Sequence, residues 1–330
     1  MATLYVLEIG ARLEKEYRHL AVYKDDELLQ RVPLAQLSEV VLVGSVGVTT
    51  PALIALLEAG VAFSIIRPNG RLLGRLTPPS FRNIPLRHRQ YACATDPDFC
   101  LHVSKAIVSG KLRNQRTLMR RLSRARPHVQ GDAAETITSL LKQVKQATDL
   151  NSLRGVEGRA ARVYFDTLRQ ALPAGWESRR RSRRPPEDPF NALLSLGYTL
   201  LGQSMMTAPE VAGLDPYDGF FHADKYGRPA LALDLMEEFR SPIVDSLVLL
   251  VINKRILKPG DFQEGKEGVF LKPHALRRFL VQYTARLQTE VIHPLIGRRL
   301  TYQKCFEVQA RLLRKAIEEE GVSYRPFLTK

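Results

Sequence analysis

The residues best suited to chemistry lie in the stretch LNSLRGVEGRAARVYFDTLRQAL, residues 150–172. Leu150, Leu153, Ala160, Ala161, Tyr164 and Leu168 recur at helical spacing and define one apolar face. Glu157 falls on that face rather than opposite it, and an inward carboxylate is costly unless it is paired or bound to a metal. Gly155 and Gly158 flank it, each costing a helix interior about 1 kcal/mol relative to alanine, a sign that something approaches the backbone there. A salt bridge to a nearby arginine is the competing reading of Glu157.

A second stretch, GLDPYDGFFHADKYGRPALALDLMEEFRSPIVDSLVLLVINK, places His222 after a turn-rich aromatic run and before a proline-started helix. On that helix Asp234 and Glu237, three residues apart, share a face and repel, which a cation between or beside them would relieve. Taken singly, His222 reads as a structural histidine, and the two acids could pair with Arg240 or Lys254. Together, two carboxylates and an imidazole make a hard, oxygen-rich set suited to Mg2+ or Mn2+, with zinc the poorer choice. His274-x-x-Arg277, His293 and Tyr302 supply the residue types of a different chemistry, a metal-free tyrosine recombinase. No GxxxxGK[ST] phosphate loop is present, since SGKL and EGKE do not qualify.

The elements that must position these groups change character along the chain. The first 80 or so residues read as short strands: LYVLEI, HLAVYK, ELLQRV, EVVLVG, VGVTT, VAFSII and RLLGRL. One helix interrupts them, capped by Thr50, started by Pro51 and ended by Gly60, and Pro68-Asn69-Gly70 signals a hairpin turn. The expectation is a small antiparallel sheet or sandwich. After the loop PPSFRNIPLRHRQ the spacing turns helical. Helices are expected over roughly 134–147, 150–172, 189–206, 229–240, 242–256, 273–292 and 300–320, with Asp188-Pro189 and Ser241-Pro242 as start signals and a hairpin in DFQEGKEGVFLK. The fold class expected is therefore α+β and multidomain: a β-sandwich-like domain over residues 1–88, then a larger all-α domain over 89–330.

Charge points to the partner. The chain of 330 residues carries a net +15, which favours a polyanion. No carboxylate interrupts Cys100–Gly131, where Lys105, Lys111, Arg113, Arg116, Arg120, Arg121, Arg124 and Arg126 form a basic helix. Arg179, Arg180, Arg181, Arg183 and Arg184 form a second cluster on a proline-flanked loop. A solvated helix face and a linker are the plain alternative, and a basic DNA-binding scaffold without catalysis is the non-enzyme reading. The expected DNA contacts are Lys111, Arg113, Arg116, Arg120, Arg162, Arg240 and Lys254, which would give salt-sensitive affinity. No apolar run reaches the roughly 18 residues of a spanning helix, and MATLYVLEIG has no basic n-region, so a cytoplasmic protein without a membrane partner is expected. Cys93, Cys100 and Cys305 form no CxxC pair and read as ordinary thiols.

Three blocks carry a resemblance: G-V-E-G-x-A-A-R-x-Y-F at 155–165, D-P-F-N-A-L-L-S-x-G-Y at 188–198, and G-L-D-P-Y-x-G-F-x-H followed by L-A-L-D-L-M-E-E-F-R. They resemble the CRISPR adaptation integrase, the Cas-one family, and the likeness extends weakly through VPLAQLSEVVLVGSVGVTTPALIALLEAGV and NGRLLGRL. The resemblance implies an N-terminal β-sandwich, a helical C-terminal domain, a prokaryotic source, a homodimer built through the N-terminal modules, and assembly with the small Cas-two protein. It implies that Glu157, His222 and Glu237 ligate the metal, with Asp234 an adjacent catalytic acid. The last ligand is often aspartate in the family, which leaves Asp234 and Glu237 open as alternatives, and Asn191 looks like a family position near the site. The implied activity is metal-dependent cutting of DNA and insertion of spacer precursor DNA into the CRISPR repeat by 3′-hydroxyl transesterification.

Overall fold

The computed structural model describes residues 2–67, 72–76, 83–126, 129, 132–182, 185–222, 225–265 and 268–329. The N-terminal part comprises β1 (Ala2–Val6), β2 (Arg12–Glu16), β3 (His19–Lys24), β4 (Glu27–Pro33), β5 (Leu37–Val43), β6 (Gly47–Val48), α1 (Thr50–Glu58), β7 (Ala62–Ile66) and β8 (Leu72–Leu76). Two four-stranded sheets form, ordered β1-β5-β7-β8 and β4-β3-β2-β6. Leu4, Val6, Leu13, Leu20, Val22, Val40, Leu42 and Phe63 fill the space between them, with Ala52 and Leu56 of α1. The sandwich is as expected, but its antiparallel character is only partial. β5 pairs parallel with both β1 and β7, because the chain between β5 and β7 crosses over through α1, the connection that parallel neighbours require. The strand β2 was not among those expected: RLEKE offers one apolar residue, Leu13, yet that residue is fully buried. The turn at residues 68–70 lies outside the described residues.

The helical part comprises α2 (Ile84–Thr95), α3 (Pro97–Ala125), α4 (Asp132–Gln146), α5 (Leu150–Gln170), α6 (Pro189–Ala212), α7 (Ala230–Phe239), α8 (Ser246–Asn253), α9 (Pro273–Gln288) and α10 (Tyr302–Glu318). Small hairpins, β9 (Phe262–Gly265) with β10 (Gly268–Leu271) and β11 (Glu290–Ile292) with β12 (Arg299–Thr301), join the later helices. A boundary after residue 88 would cut α2; the change from sheet to helix comes between Leu76 and Ile84. The helix expected over 273–292 stops at Gln288, since Glu290–Ile292 pairs with Arg299–Thr301 instead.

Ser241-Pro242 does not start a helix. Arg240–Asp245 is a π-helical turn that joins α7 to α8 in one run, a widening that accommodates a proline unable to donate to the preceding turn. Asp188 does start α6: its carboxylate accepts from the Asn191 backbone N–H at 2.8 Å.

The basic helix is not a solvated rod. α3 runs through the bundle, burying Val103, Ile107, Val108, Leu112 and Met119, and it packs against α4, α5 and α7. Only one flank of it, with Arg113 and Arg120, reaches solvent. The sheet β1-β5-β7-β8 closes the bundle from one side. Val41, Val43 and Ile66 belong to the helical core, while Val40, Leu42 and Phe63 point into the sandwich. Strand alternation puts successive residues on opposite faces, so the all-apolar run VVLV in β5 serves two cores at once.

Candidate active site

Glu157 stands one turn beyond buried Leu153 on α5 and is half-buried. Asp149 and Ser152 close a capping box at the start of that helix and fix where it begins. Facing it are α3 with Lys111 and α7 with Asp234 and Glu237. Lys111 Nζ is in contact with Glu157 Oε1 and lies 2.7 Å from Glu237 Oε2. Arg240 Nε lies 3.0 Å from Glu237 Oε1, and His222 Nε2 lies 3.6 Å from the same oxygen. Glu157, His222 and Glu237, distant in sequence, are thus gathered into one cluster.

Asp234 plays a different part. It is fully buried, and its Oδ2 accepts the backbone N–H groups of Phe220 (2.7 Å) and Phe221 (2.9 Å). Its Oδ1 accepts the His222 backbone N–H at 3.0 Å and lies 2.6 Å from His222 Nδ1. A carboxylate only accepts, so Nδ1 is the donor and Nε2 turns toward Glu237. With its oxygens occupied in this way, Asp234 is an orienting group, and Glu237 is the acid presented to the site. Gly219 makes the arrangement possible: a Cβ there would meet Asp234 Oδ2 at 2.8 Å and the Ala230 backbone at 2.7 Å.

Burial alone would raise the Glu237 carboxyl, but Arg240, Lys111 and His222 pull it down to about 2. Burial would lower Lys111, and Glu237 and Glu157 raise it. Each of Glu237 and Lys111 therefore favours the charged form of the other, in a largely buried setting. The contacts of Glu237 are close without being aligned: among the described residues neither Glu237 Oε2 nor Arg240 Nε has a hydrogen-bond partner of good geometry. Among the described residues no set of three His, Cys, Asp or Glu side chains is gathered closely enough to cage an ion, and the Lys111 ammonium contacts both glutamates. The donors still suit a hard divalent cation: two carboxylates, one of them with an oxygen lacking an aligned donor, and an imidazole nitrogen.

Lys111 and Arg240, expected among the DNA contacts, both lie against Glu237 within the cluster, Arg240 in the pairing that the sequence left open as an alternative. Helical spacing held the signal for Lys111, which follows buried Ile107 by four and Val108 by three. Arg113, Arg120, Arg162 and Lys254 are exposed, and Arg116 is half-buried, donating to Thr138 Oγ1 at 3.1 Å. Gly155 and Gly158 have open space beside them among the described residues, a Cβ at Gly155 meeting only Arg159 Nη1 at 3.9 Å and one at Gly158 meeting nothing within 4 Å. Asn191 is buried and binds the arginine-rich loop, accepting from Arg181 Nη1 (2.8 Å) and donating to the Arg180 carbonyl (2.7 Å). Arg183 and Arg184 lie outside the described residues.

The tyrosine-recombinase set does not assemble. Arg277 is tied to Glu8 and His274 to Asp261, whereas His293 and Tyr302 pack on Phe327 with Tyr302 buried.

Residues 4–285 match the family described as CRISPR associated protein Cas1. The chain belongs to the Cas1 family. Over its full length it is 39% identical to "CRISPR-associated endonuclease Cas1 3" of Thermus thermophilus, covering 98% of that relative. Its fold is that of a solved Cas1-containing chain from a Cas6-RT-Cas1–Cas2 complex, at TM-score 0.83 and 29% identity, spanning 98% of this chain and 36% of that one. A casposase bound to integration product superposes at TM-score 0.86 over 98% of this chain and 93% of that one, at 24% identity, a likeness of fold alone. No helix among the described residues of this Cas1-family chain is long and apolar enough to cross a membrane.

Proposed function

We propose that this Cas1-family protein is a divalent-metal-dependent integrase and endonuclease of CRISPR adaptation. The observation that carries the reading is the gathering of Glu157 and Glu237 on Lys111, with His222 beside Glu237, in a cluster that is buried except at half-buried Glu157 and His222. Glu157, His222 Nε2 and Glu237 would hold Mg2+ or Mn2+, which supplies Lewis acidity toward a phosphoryl oxygen and a lowered pKa for the attacking hydroxyl. Asp234 keeps His222 in the tautomer that leaves Nε2 free. Lys111 and Arg240 contribute fixed positive charge toward the phosphate.

In the reaction a DNA 3′-oxygen forms a bond to a phosphorus of the repeat while the bond from that phosphorus to the repeat's own 3′-oxygen breaks. The attacking hydroxyl gives up its proton, and the departing 3′-oxygen gains one. The number of phosphodiester bonds is unchanged, so no nucleotide is consumed. With water as nucleophile the same site cuts.

Gly155 and Gly158 leave room for the DNA backbone beside Glu157. Burial together with the like charges of Arg120 and Arg113 lowers the Arg116 guanidinium, as expected where cations are crowded for a polyanion. Arg113, Arg116, Arg120, Arg162 and Lys254 are the proposed phosphate contacts. The β-rich part is the proposed homodimer module, a Cas2 protein the proposed partner, and the cytoplasm of a prokaryote the proposed setting. The engagement of Glu237 with Lys111 and Arg240 favours a second reading, a DNA-binding scaffold whose acids only pair with its bases.

A strand-transfer assay with wild type, Glu157→Ala and His222→Ala, with and without Mn2+ or Mg2+, separates the two. Joining is expected to require the ion and to fall about a hundredfold or more in both variants, while salt-dependent DNA binding survives. Joining that persists in EDTA, or in Glu157→Ala, would sink the metal reading.

A further inference from the structure

Helices α3 and α7, which carry Lys111 and Glu237, share a third neighbour, the segment Tyr324–Thr329. An α-helical carbonyl accepts from the N–H four residues on, but residue 242 is proline, so the carbonyl of Glu238 has no such partner. Asn114 of α3 supplies one: its Nδ2 donates to the Glu238 carbonyl (2.8 Å) and to the Phe327 carbonyl (2.9 Å). Its Oδ1 accepts from the Thr329 N–H (2.8 Å) and Oγ1 (3.2 Å). One side chain thus uses its whole hydrogen-bonding capacity to fasten α3, α7 and the segment together.

The Glu238 side chain, fully buried, is held by the same segment together with Gln309 of α10. It accepts from the Phe327 N–H (2.6 Å), Tyr324 Oη (2.5 Å) and Gln309 Nε2 (3.0 Å). Pro326 lies so close to Gly110 that a Cβ on that glycine would come within 2.5 Å of it. The segment's attachments to α3 and α7 end close to site residues, since Gly110 and Asn114 bracket Lys111 and Glu238 follows Glu237. Phe327 also packs on Phe239, His293 and Tyr302, and the Arg325 carbonyl accepts from Gln309 Nε2 at 3.1 Å.

We propose that Tyr324–Thr329 is a strap that sets the spacing of Lys111 and Glu237, with Asn114 as its positioning residue. The proposal rests on the functional reading above. A small slip between α3 and α7 changes the 2.7 Å contact of Lys111 with Glu237, and misplacements of about 1 Å in a catalytic site can cost about a hundredfold in rate.

The test uses the full chain bearing Asn114→Ala, Gly110→Ala or Tyr324→Phe. Gly110→Ala removes no hydrogen bond and adds a helix-favouring residue, so it displaces the strap without weakening α3 itself. Single-turnover joining per folded molecule, counted by circular dichroism, should fall about tenfold or more in Asn114→Ala and Gly110→Ala. DNA affinity at fixed salt should hold within about twofold. The rise in melting temperature on adding Mn2+ should shrink in both relative to wild type. Tyr324→Phe, which removes one hydroxyl, should show a smaller loss of the same kind and decides the matter if the other two do not fold. Wild-type joining rates per folded molecule in the variants that fold overturn the strap. Wild-type joining that ignores divalent ion instead overturns the functional reading, and the rates alone then judge the strap.

Discussion

Lys111 is the residue on which the charge balance of the site turns. Removing its ammonium leaves Glu237 buried with one partner fewer and Glu157 facing it as a like charge, a loss of about 3–5 kcal/mol for a broken buried pair. Lys111→Ala should therefore be less stable than wild type in denaturant titrations without divalent ion, and Mn2+ should recover more stability in the variant than in wild type. Equal recovery in both would show that cation and ammonium do not compete for the same carboxylates. Asp234→Asn tests the orienting role: it leaves the His222 tautomer unfixed and should cost about 10–100-fold in joining rate or in metal affinity. The inward face of Glu157 and the three-residue spacing of Asp234 and Glu237 were readable from the chain. The division of labour between those two acids was not, because it depends on which of them meets the backbone N–H groups of Phe220, Phe221 and His222, a contact made only when the loop closes over Gly219. The place of Lys111 is masked by composition, since it shares the carboxylate-free run 100–131 with solvent-facing Arg113 and Arg120, and only its spacing from Ile107 and Val108 sets it apart.

At the scale of elements, starts were easier to read than stops. Asp188 followed by Pro189 fixes the first turn of α6, and the same carboxylate receives Asn191 Nδ2 (2.6 Å) and Ser178 Oγ (2.9 Å). Asp188→Ala should cost about 1–2 kcal/mol in a denaturant titration, and unchanged stability would mean that the loop bonds, not the cap, hold the helix start. Ser241-Pro242 has the same pattern and a different outcome. Phe239, Ile243 and Val244 around it are all fully buried, and their packing keeps the helical run continuous at the expense of a π turn. β2 was illegible for the opposite reason: its one apolar residue makes no pattern, and only its place between β3 and β6 defines it as a strand.

Over the whole molecule, the join between sheet and bundle is partly polar. Arg75 of β8 pairs with Glu210 of α6 at 3.3 Å, and Gln303 Nε2 donates to Ser38 Oγ at 3.0 Å. Glu39, nearby on β5, is buried and receives a long hydrogen bond from Thr3 Oγ1, 3.4 Å. Burial lifts its carboxyl from the ordinary 4.5 to about 7, against the pull of Arg75 and Thr3. Between those values the folded chain keeps a proton that the unfolded chain releases, so this group's contribution to stability falls as pH rises from about 4.5 to 7. Glu39→Gln should remove that slope and stabilise the protein above pH 7 by at most about 3 kcal/mol; an unchanged pH profile would show that the carboxyl is hydrated in solution. The doubly buried strand β5 has a dynamic consequence as well. Its amides between Val40 and Val43 can reach solvent only when both the sandwich and the bundle open, so they should be the slowest in the chain to exchange with deuterium. Loosening either core alone, for instance by Phe63→Ala or Phe279→Ala, should then speed exchange in the other.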